Sequence, residues 1–367
     1  MDSASRYLSL GKPDRSNHLW RYTPWKRVHP TGEISEIPML EMPSLSLKML
    51  DGSEPQDGIR LERREGLEPD FSNCDTLTNS FLHASTGSSA WALVVERGFT
   101  PDKPLVLEIH VEDSRSVAHI SLEVGGASDF ELVTKITGSC EWFGLLRTGW
   151  IGDGTVMNDV VLGLQKDGTF LRTDSISIHR DAQVRAGTIS SGSERTKSDL
   201  RFNLSHPGGS VRVLGSILSA NKMHLDHHIE IHHEAPETFS RLSWHSACGG
   251  SSRTIGTGML NISEGSKGAD ASQIFHNLLL SKSAEADSIP ELEVMENDVV
   301  GCGHGTANGP IDEEQMFYLK ARGFNDEGAN SVLIAAFLNS TLSEMGGVEI
   351  HDWLVSELSA QLETLNT

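Results

Sequence analysis

From Lys103 to Glu296 the chain is a succession of short apolar, β-branched runs divided by Gly, Asp, Asn and Ser, and no useful stretch of helical period interrupts it. Leu105-Val106-Leu107-Glu108-Ile109, His119-Ile120-Ser121-Leu122-Glu123-Val124, Ser175-Ile176-Ser177-Ile178, Val211-Arg212-Val213-Leu214 and His228-Ile229-Glu230-Ile231 are examples. Alternation of apolar and polar residues sets one group of side chains on one strand face. Turn residues return every ~8–12 positions. The expectation is a large all-β body. Sandwich, propeller and parallel β-helix all remain open. No WD dipeptide or strict hexapeptide fixes a period, and a solenoid can stack its turns into one core without exact repeats.

The flanks read differently. Residues 1–30 are polar with an aromatic cluster, Trp20-Arg21-Tyr22-Thr23-Pro24-Trp25. Pro24 disfavours helix just before it, so a short helix ending there is predicted over 14–22. Residues 31–70, rich in Gly, Pro, Glu and Ser, read as linker with short pieces of structure. Near Asp312 a helical period begins. Asp312 is a good N-cap, Gln315 can reach back, and the acids between suit the positive end of the helix dipole. Gly323 is the expected C-cap. A second helix is predicted from Asp326 to Glu344, burying Val332, Leu333, Ala336, Phe337 and Leu338. After Gly346-Gly347 a third runs from Val348 to Leu365, with Ile350, Trp353, Leu354, Leu358 and Leu362 at helical spacing. The organisation predicted is a partly helical region over 1–85, the β body over 86–310 and a helical region over 311–367.

Composition removes several function classes. Thirty Lys+Arg against 51 Asp+Glu give a formal charge of −21, which argues against a nucleic-acid backbone or an anionic membrane surface as main partner. The polar opening has no apolar signal region, and no run of ~18 apolar residues occurs, so a cytoplasmic protein without a membrane span is expected. Cys74, Cys140, Cys248 and Cys302 stand alone, with no CxxC pair. Neither a disulfide framework nor a closed zinc site built from local pairs is expected. There is no GxxxxGK[ST], and Gly301-Cys302-Gly303-His304-Gly305 lacks GxGxxG spacing, so no nucleotide site is expected. No G-x-S-x-G elbow supports a serine nucleophile.

Two groups of potential ligands remain. His224, His227, His228, His232 and His233 lie among Asp226, Glu230 and Glu234. On a strand, His228, Glu230 and His232 share one face, while His227, Ile229, Ile231 and His233 share the other. The second face reads as packing, and the group as mainly structural. Cys302 and His304 are two apart, so in an extended segment sulfur and imidazole face one way. Thiolate suits iron and iron–sulfur species, and imidazole can replace thiolate on an iron. Two ligands leave the remainder to a partner. The bland alternative is a small apolar Cys and a hydrogen-bonded His in a Gly-rich turn.

From Asp226 to Gly323 the chain resembles the SufB/SufD family. Asp226-His227-His228, His233-Glu234-Ala235-Pro236, Thr238 and Ser240 are similar to the family's D-x-H…H-x-x-P-x-T-x-S. Residues 265–273 (GSKGADASQ) with Asn277 to Ser281 resemble G-x-x-x-T-D-A-x-Q…N-x-x-L-L-L-S, and Ala284 to Asp287 with Pro290 to Val294 resemble A-x-A-D…P-x-L-E-I. Cys302-Gly303-His304-Gly305, Asp312 to Leu319 and Arg322-Gly323 resemble C-S-H-G…D-E-E-x-L-F-Y-L-x-S-R-G, and Trp20-Arg21-Tyr22-Thr23 resembles W-[KR]-Y-T. The chain departs in having Gly303 for Ser, Ala269 for the Thr before Asp270, and Asp298-Val299-Val300-Gly301 for D-D-V-K.

The resemblance implies a mainly β fold, a right-handed parallel β-helix flanked by N- and C-terminal helical regions. It implies a non-enzymatic scaffold subunit for iron–sulfur cluster assembly. Such a subunit pairs with a SufB-like paralogue through the β-helix and with a SufC-like ATPase through its C-terminal helices. ATP hydrolysis belongs to that ATPase. The cofactor implied is a transient iron–sulfur cluster shared with the partner, with Cys302 and His304 as interface and metal candidates. The chain is SufD-like rather than SufB-like, because SufB-like sequences carry Glu where Gly303 stands and have more cysteines in the β-helix. A homodimer of the isolated chain stays open. The alternatives from other classes are a β-helix carbohydrate-active enzyme and a stand-alone metal-binding protein using residues 224–233.

Overall fold

A computed structural model describes residues 2–365, with side chains described to residue 360. Strands β1 (Ser44–Met49), β2 (Ile59–Glu65), β3 (Ser89–Val95), β4 (Leu105–Val111), β5 (Arg115–Val124) and β6 (Asp129–Gly138) come first. Then follow β7 (Trp142–Ile151), β8 (Val156–Gly163), β9 (Thr169–Ile178), β10 (Gln183–Ser190), β11 (Arg195–Leu204) and β12 (Ser210–Ser219). The last are β13 (His224–His233), β14 (Phe239–Cys248), β15 (Arg253–Ile262), β16 (Asp270–Leu279), β17 (Glu285–Val294) and β18 (Gly301–Pro310). From β3 onward, successive strands alternate between two nine-stranded sheets: an odd sheet, closed at its start by β2, and an even sheet, closed at its start by β1.

Within each sheet every strand from β3 to β16 pairs in parallel with the strand one coil later. This is a parallel β-solenoid of about 8 turns with helices at both ends. Coil length varies: Thr169 pairs with Arg195, 26 residues on, and Arg253 with Glu285, 32 residues on. The two ends differ. At the start β1 pairs antiparallel with β4 and β2 antiparallel with β3, folding the chain back over the first coil. At the finish β17 and β18 each have a strand on one side only.

Side chains facing inward form one continuous core running from Met49 to Phe275. Large and small residues interdigitate there. A Cβ on Gly215 would lie 2.2 Å from the Trp244 ring, so the indole occupies the space that glycine leaves. A polar layer interrupts the core. Arg147 donates to Asp159 (2.7 Å) and Asp174 (2.8 Å), and Arg172 donates to Asp174 (2.6 Å) and Thr188 (3.2 Å). Two guanidiniums meet two carboxylates, the arrangement that makes buried charge tolerable.

The termini cover the outer faces. Helices α1 (Ser3–Leu10), α2 (Trp25–Val28) and α3 (Thr76–Ser85) lie over the odd sheet. Tyr7, Trp20, Trp25, Val28 and Phe81 pack there on Val117, Trp142, Leu146 and Leu171. The helix predicted over 14–22 is absent: only His18–Trp20 forms one 3₁₀ turn, and the helical turns fall on either side of it. Tertiary anchoring of Trp20 and Trp25, both 2 % exposed, overrides the local pattern.

At the other end α4 (Glu313–Ala321) is capped by Asp312, whose carboxylate accepts from the Glu314 and Gln315 amides. Helices α5 (Asp326–Leu342) and α6 (Val348–Leu365) lie on the even sheet. The buried face of α5 is Ala329, Ile334, Leu338, Thr341 and Leu342, and Leu333 and Phe337 are half-buried. Val332 and Ala336, predicted inside, are exposed, because the face is set by Val160, Leu214 and Leu218 beneath it. On α6, Ile350, Leu354 and Leu358 are buried and Trp353 is half-buried, while Leu362 lies outside the described side chains.

Two outcomes follow from this packing. Phe81 is fully buried against Tyr7, Trp25, His29 and Trp142, so Phe81→Ala should lower stability by about 3–5 kcal/mol in denaturant unfolding. His119 lies beneath α3, bonded to Thr148 (2.9 Å), and burial, with His83 nearby, pushes its imidazole down to about 3. The unfolded chain takes that proton near pH ~6.5. The stabilisation present above that pH is therefore lost as pH falls toward 3. Thermal midpoints should drop on acidification, and less steeply for His119→Gln, which does not titrate.

Candidate functional site

The open end of the solenoid is built by β17 and β18. Register puts Cys302 beside Ala271, His304 beside Gln273, Thr306 beside Phe275 and Asn308 beside Asn277. Ala271, Gln273, Phe275 and Asn277 are the buried, inward-facing residues of β16, so their neighbours on β18 face the same way. The Cys302–His304 spacing thus falls on an extended strand, and both side chains lie on one face of it. Cys302 is half-buried at the edge of the core, and His304 is exposed. The ends are tied by amides: Gln273 Nε2 donates to the Glu291 carbonyl, and Asn277 Nδ2 donates to Ser288 Oγ and Asn308 Oδ1, each at 2.7 Å.

Burial, and then the nearby Asp270 carboxylate, push the Cys302 thiol up. Ligation by its thiolate therefore requires a positive centre to displace the proton. A thiol and an imidazole fill half of an iron's tetrahedral shell at most, and the missing donors must come from outside this strand. The chain continues from here into exposed apolar positions. Met295 and Val300 flank the approach to β18, and Phe317, Tyr318 and Phe324 follow it. Helix α4 buries none of its residues, and Phe317 is 74 % exposed.

The histidine-rich strand β13 divides by face. His227 points inward, bonded to Ser198 Oγ (2.5 Å) against the Trp244 ring. His233 has both nitrogens occupied, by Thr238 and Ser240 at 2.8 Å. On the outer face His224 meets Thr23 (2.8 Å), whose hydroxyl donates to Asp226 (2.5 Å); Lys197 donates to the other Asp226 oxygen (3.0 Å). The Trp20-to-Thr23 tetrad and the Asp226 motif are therefore two halves of one structural clamp. Further along this face His228 and His232 both reach Glu230, at 2.7 and 3.0 Å. Burial raises the Glu230 carboxyl, but those two bonds and Arg201 hold it well below the usual range. Asp199 and Arg201, one coil earlier, complete this group. Sequence reading missed them, because they become neighbours of His228 and Glu230 only once the 29-residue step is known.

The fold defines a parallel β-solenoid protein whose candidate ligands stand at an open sheet end rather than in an enclosed cavity. Comparison with known proteins narrows this. The family model "SUF system FeS cluster assembly, SufBD core domain" matches residues 109–337. An iron–sulfur cluster assembly SufBD family protein of Mycobacterium leprae is 24 % identical, the alignment covering 95 % of this chain and 90 % of that one. The iron–sulfur cluster assembly protein SufD of Escherichia coli is 26 % identical, with 90 % of this chain and 84 % of that one covered. The chain belongs to the SufBD family of iron–sulfur cluster assembly proteins. Among the described residues no helix is long and apolar enough to cross a membrane.

The four cysteines differ in access. Cys140 and Cys248 are buried, while Cys74 and Cys302 are half-buried, and burial pushes the Cys74 thiol up to about 12. A thiol reagent applied to the native protein should modify Cys302 first, with Cys140 and Cys248 reacting only after denaturation, as read by peptide mass mapping.

Proposed function

We propose that this chain is the SufD-type scaffold subunit of an iron–sulfur cluster assembly complex, without turnover of its own. The observation that carries this reading is the last coil, whose strands each have a free edge, with Cys302 and His304 on one face of β18. An unpaired strand presents backbone donors and acceptors that invite another chain. The partner we infer is a SufB-like paralogue, docked through the solenoid. It would supply the donors that Cys302 and His304 lack, and the cluster would be held transiently between the two chains. The exposed Phe317 and Tyr318 of α4 suit a second partner, a SufC-like ATPase, bound by the C-terminal helices and hydrolysing the ATP. The setting is the cytoplasm, where thiols stay reduced and the four free cysteines are stable.

Co-expression with a SufB-like chain and a SufC-like ATPase should yield a complex on affinity purification. Iron and sulfide in that complex should fall severalfold in Cys302→Ala and in His304→Ala, with partner recovery unchanged. Recovery of the complex with undiminished loading would remove the two residues as ligands. A chain that binds neither partner would remove the scaffold reading.

A further inference from the structure

We propose that Asp199, His228 and Glu230 bind one divalent transition-metal cation on the outer face of the odd sheet, separate from the open end. One ligand atom from each lies within 4.8 Å of the others. Asp199 is 3 % exposed, and its Oδ1 has no hydrogen-bond partner, while Oδ2 accepts from Arg201. A carboxylate oxygen left buried without a donor is costly, and a cation at this point satisfies it.

Charge counting points the same way. In the interior layer Arg147 and Arg172 face Asp159 and Asp174, two against two. On this face Asp199 and Glu230 face one guanidinium, that of Arg201, and Asp75, whose carboxyl is pushed up by burial and then by Asp199, lies beside them as the N-cap of α3. A divalent ion supplies the missing positive charge. Arg201 bridges Asp199 and Glu230, and His232 holds the second Glu230 oxygen, so the ligands are oriented by partners of their own. A cleft of about 490 Å³, lined by His18, Trp20, Arg201, His228 and Glu230, gives room for water ligands beside the ion. One imidazole with two carboxylates and no sulfur suits Fe²⁺, Mn²⁺, Co²⁺ or Zn²⁺.

The test uses the full chain stripped by chelator. Zn²⁺ titration followed by calorimetry should show a site of one equivalent, and Zn²⁺ should raise the thermal midpoint. Asp199→Asn and Glu230→Gln, near-isosteric changes that each remove one carboxylate charge, should weaken this binding by about tenfold or more. Cys302→Ala should leave it unchanged, which separates it from the proposed cluster site. Zinc-edge absorption should show nitrogen and oxygen ligands only. Absence of uptake would overturn the proposal. Equal uptake by both carboxylate variants, or sulfur in the shell, would overturn it as well. Circular dichroism and melting of each variant identify any loss that comes from unfolding.

Discussion

The in-register parallel ladder between successive coils is the constraint on which the rest depends. It satisfies the backbone of every inner coil with the coil before and the coil after. That solution cannot extend to the ends, and the chain treats its two ends oppositely. At the start, β1 and β2 turn antiparallel and cover the first coil. At the finish, none of the residues of β18 is buried and half of them are exposed. Four of its ten residues are glycine and its last is proline, so few side chains shield the backbone from whatever approaches. Natural sheets rarely leave such an edge without some device to manage it. Under the proposed function, the device is another polypeptide.

Alternation along the strands then sorts chemistry by face. Inward positions are mostly apolar; polar groups enter where charges occur in equal number, where a histidine finds a hydroxyl partner, or where the amides of Gln273 and Asn277 tie the open end. Outward positions directly beneath the terminal helices are also apolar, whereas the outer face of β11 and β13 carries charge. Trp142 and Leu146 meet the N-terminal aromatics, and Leu214 and Leu218 meet α5. The helical termini are therefore part of the core's closure, although they join no sheet.

Much of this was legible in the sequence. Period-two runs and turn residues predicted the all-β body, and the Asp312 cap and the apolar face of α6 as far as Leu358 were read correctly. The choice of a solenoid was not legible from pattern, because coils of 26 to 32 residues give no fixed repeat; it came from motif resemblance. The helix expected over 14–22 failed because Trp20 and Trp25 are held by the odd sheet rather than by local propensity. The face of α5 was read from its central run, Val332 to Leu338, which is apolar on every side, so period alone does not choose a side. Asp199 and Arg201 carried no local signal at all.

That last miss shows how sites arise in this architecture. Histidine density along β13 was a poor guide: burial pushes His227 down to about 3 and leaves it a neutral packing group, while its neighbour His228 faces carboxylates on the other side. What matters is the column running across coils, such as Asp199 beside His228 or Ala271 beside Cys302. An inner column has neighbours on both sides and can complete a ligand set within the chain. The last column has one neighbour only. Cys302 and His304 occupy that column, so chemistry requiring more than two donors there has to be finished by another molecule. The incompleteness of the proposed site and the openness of the edge have the same physical origin.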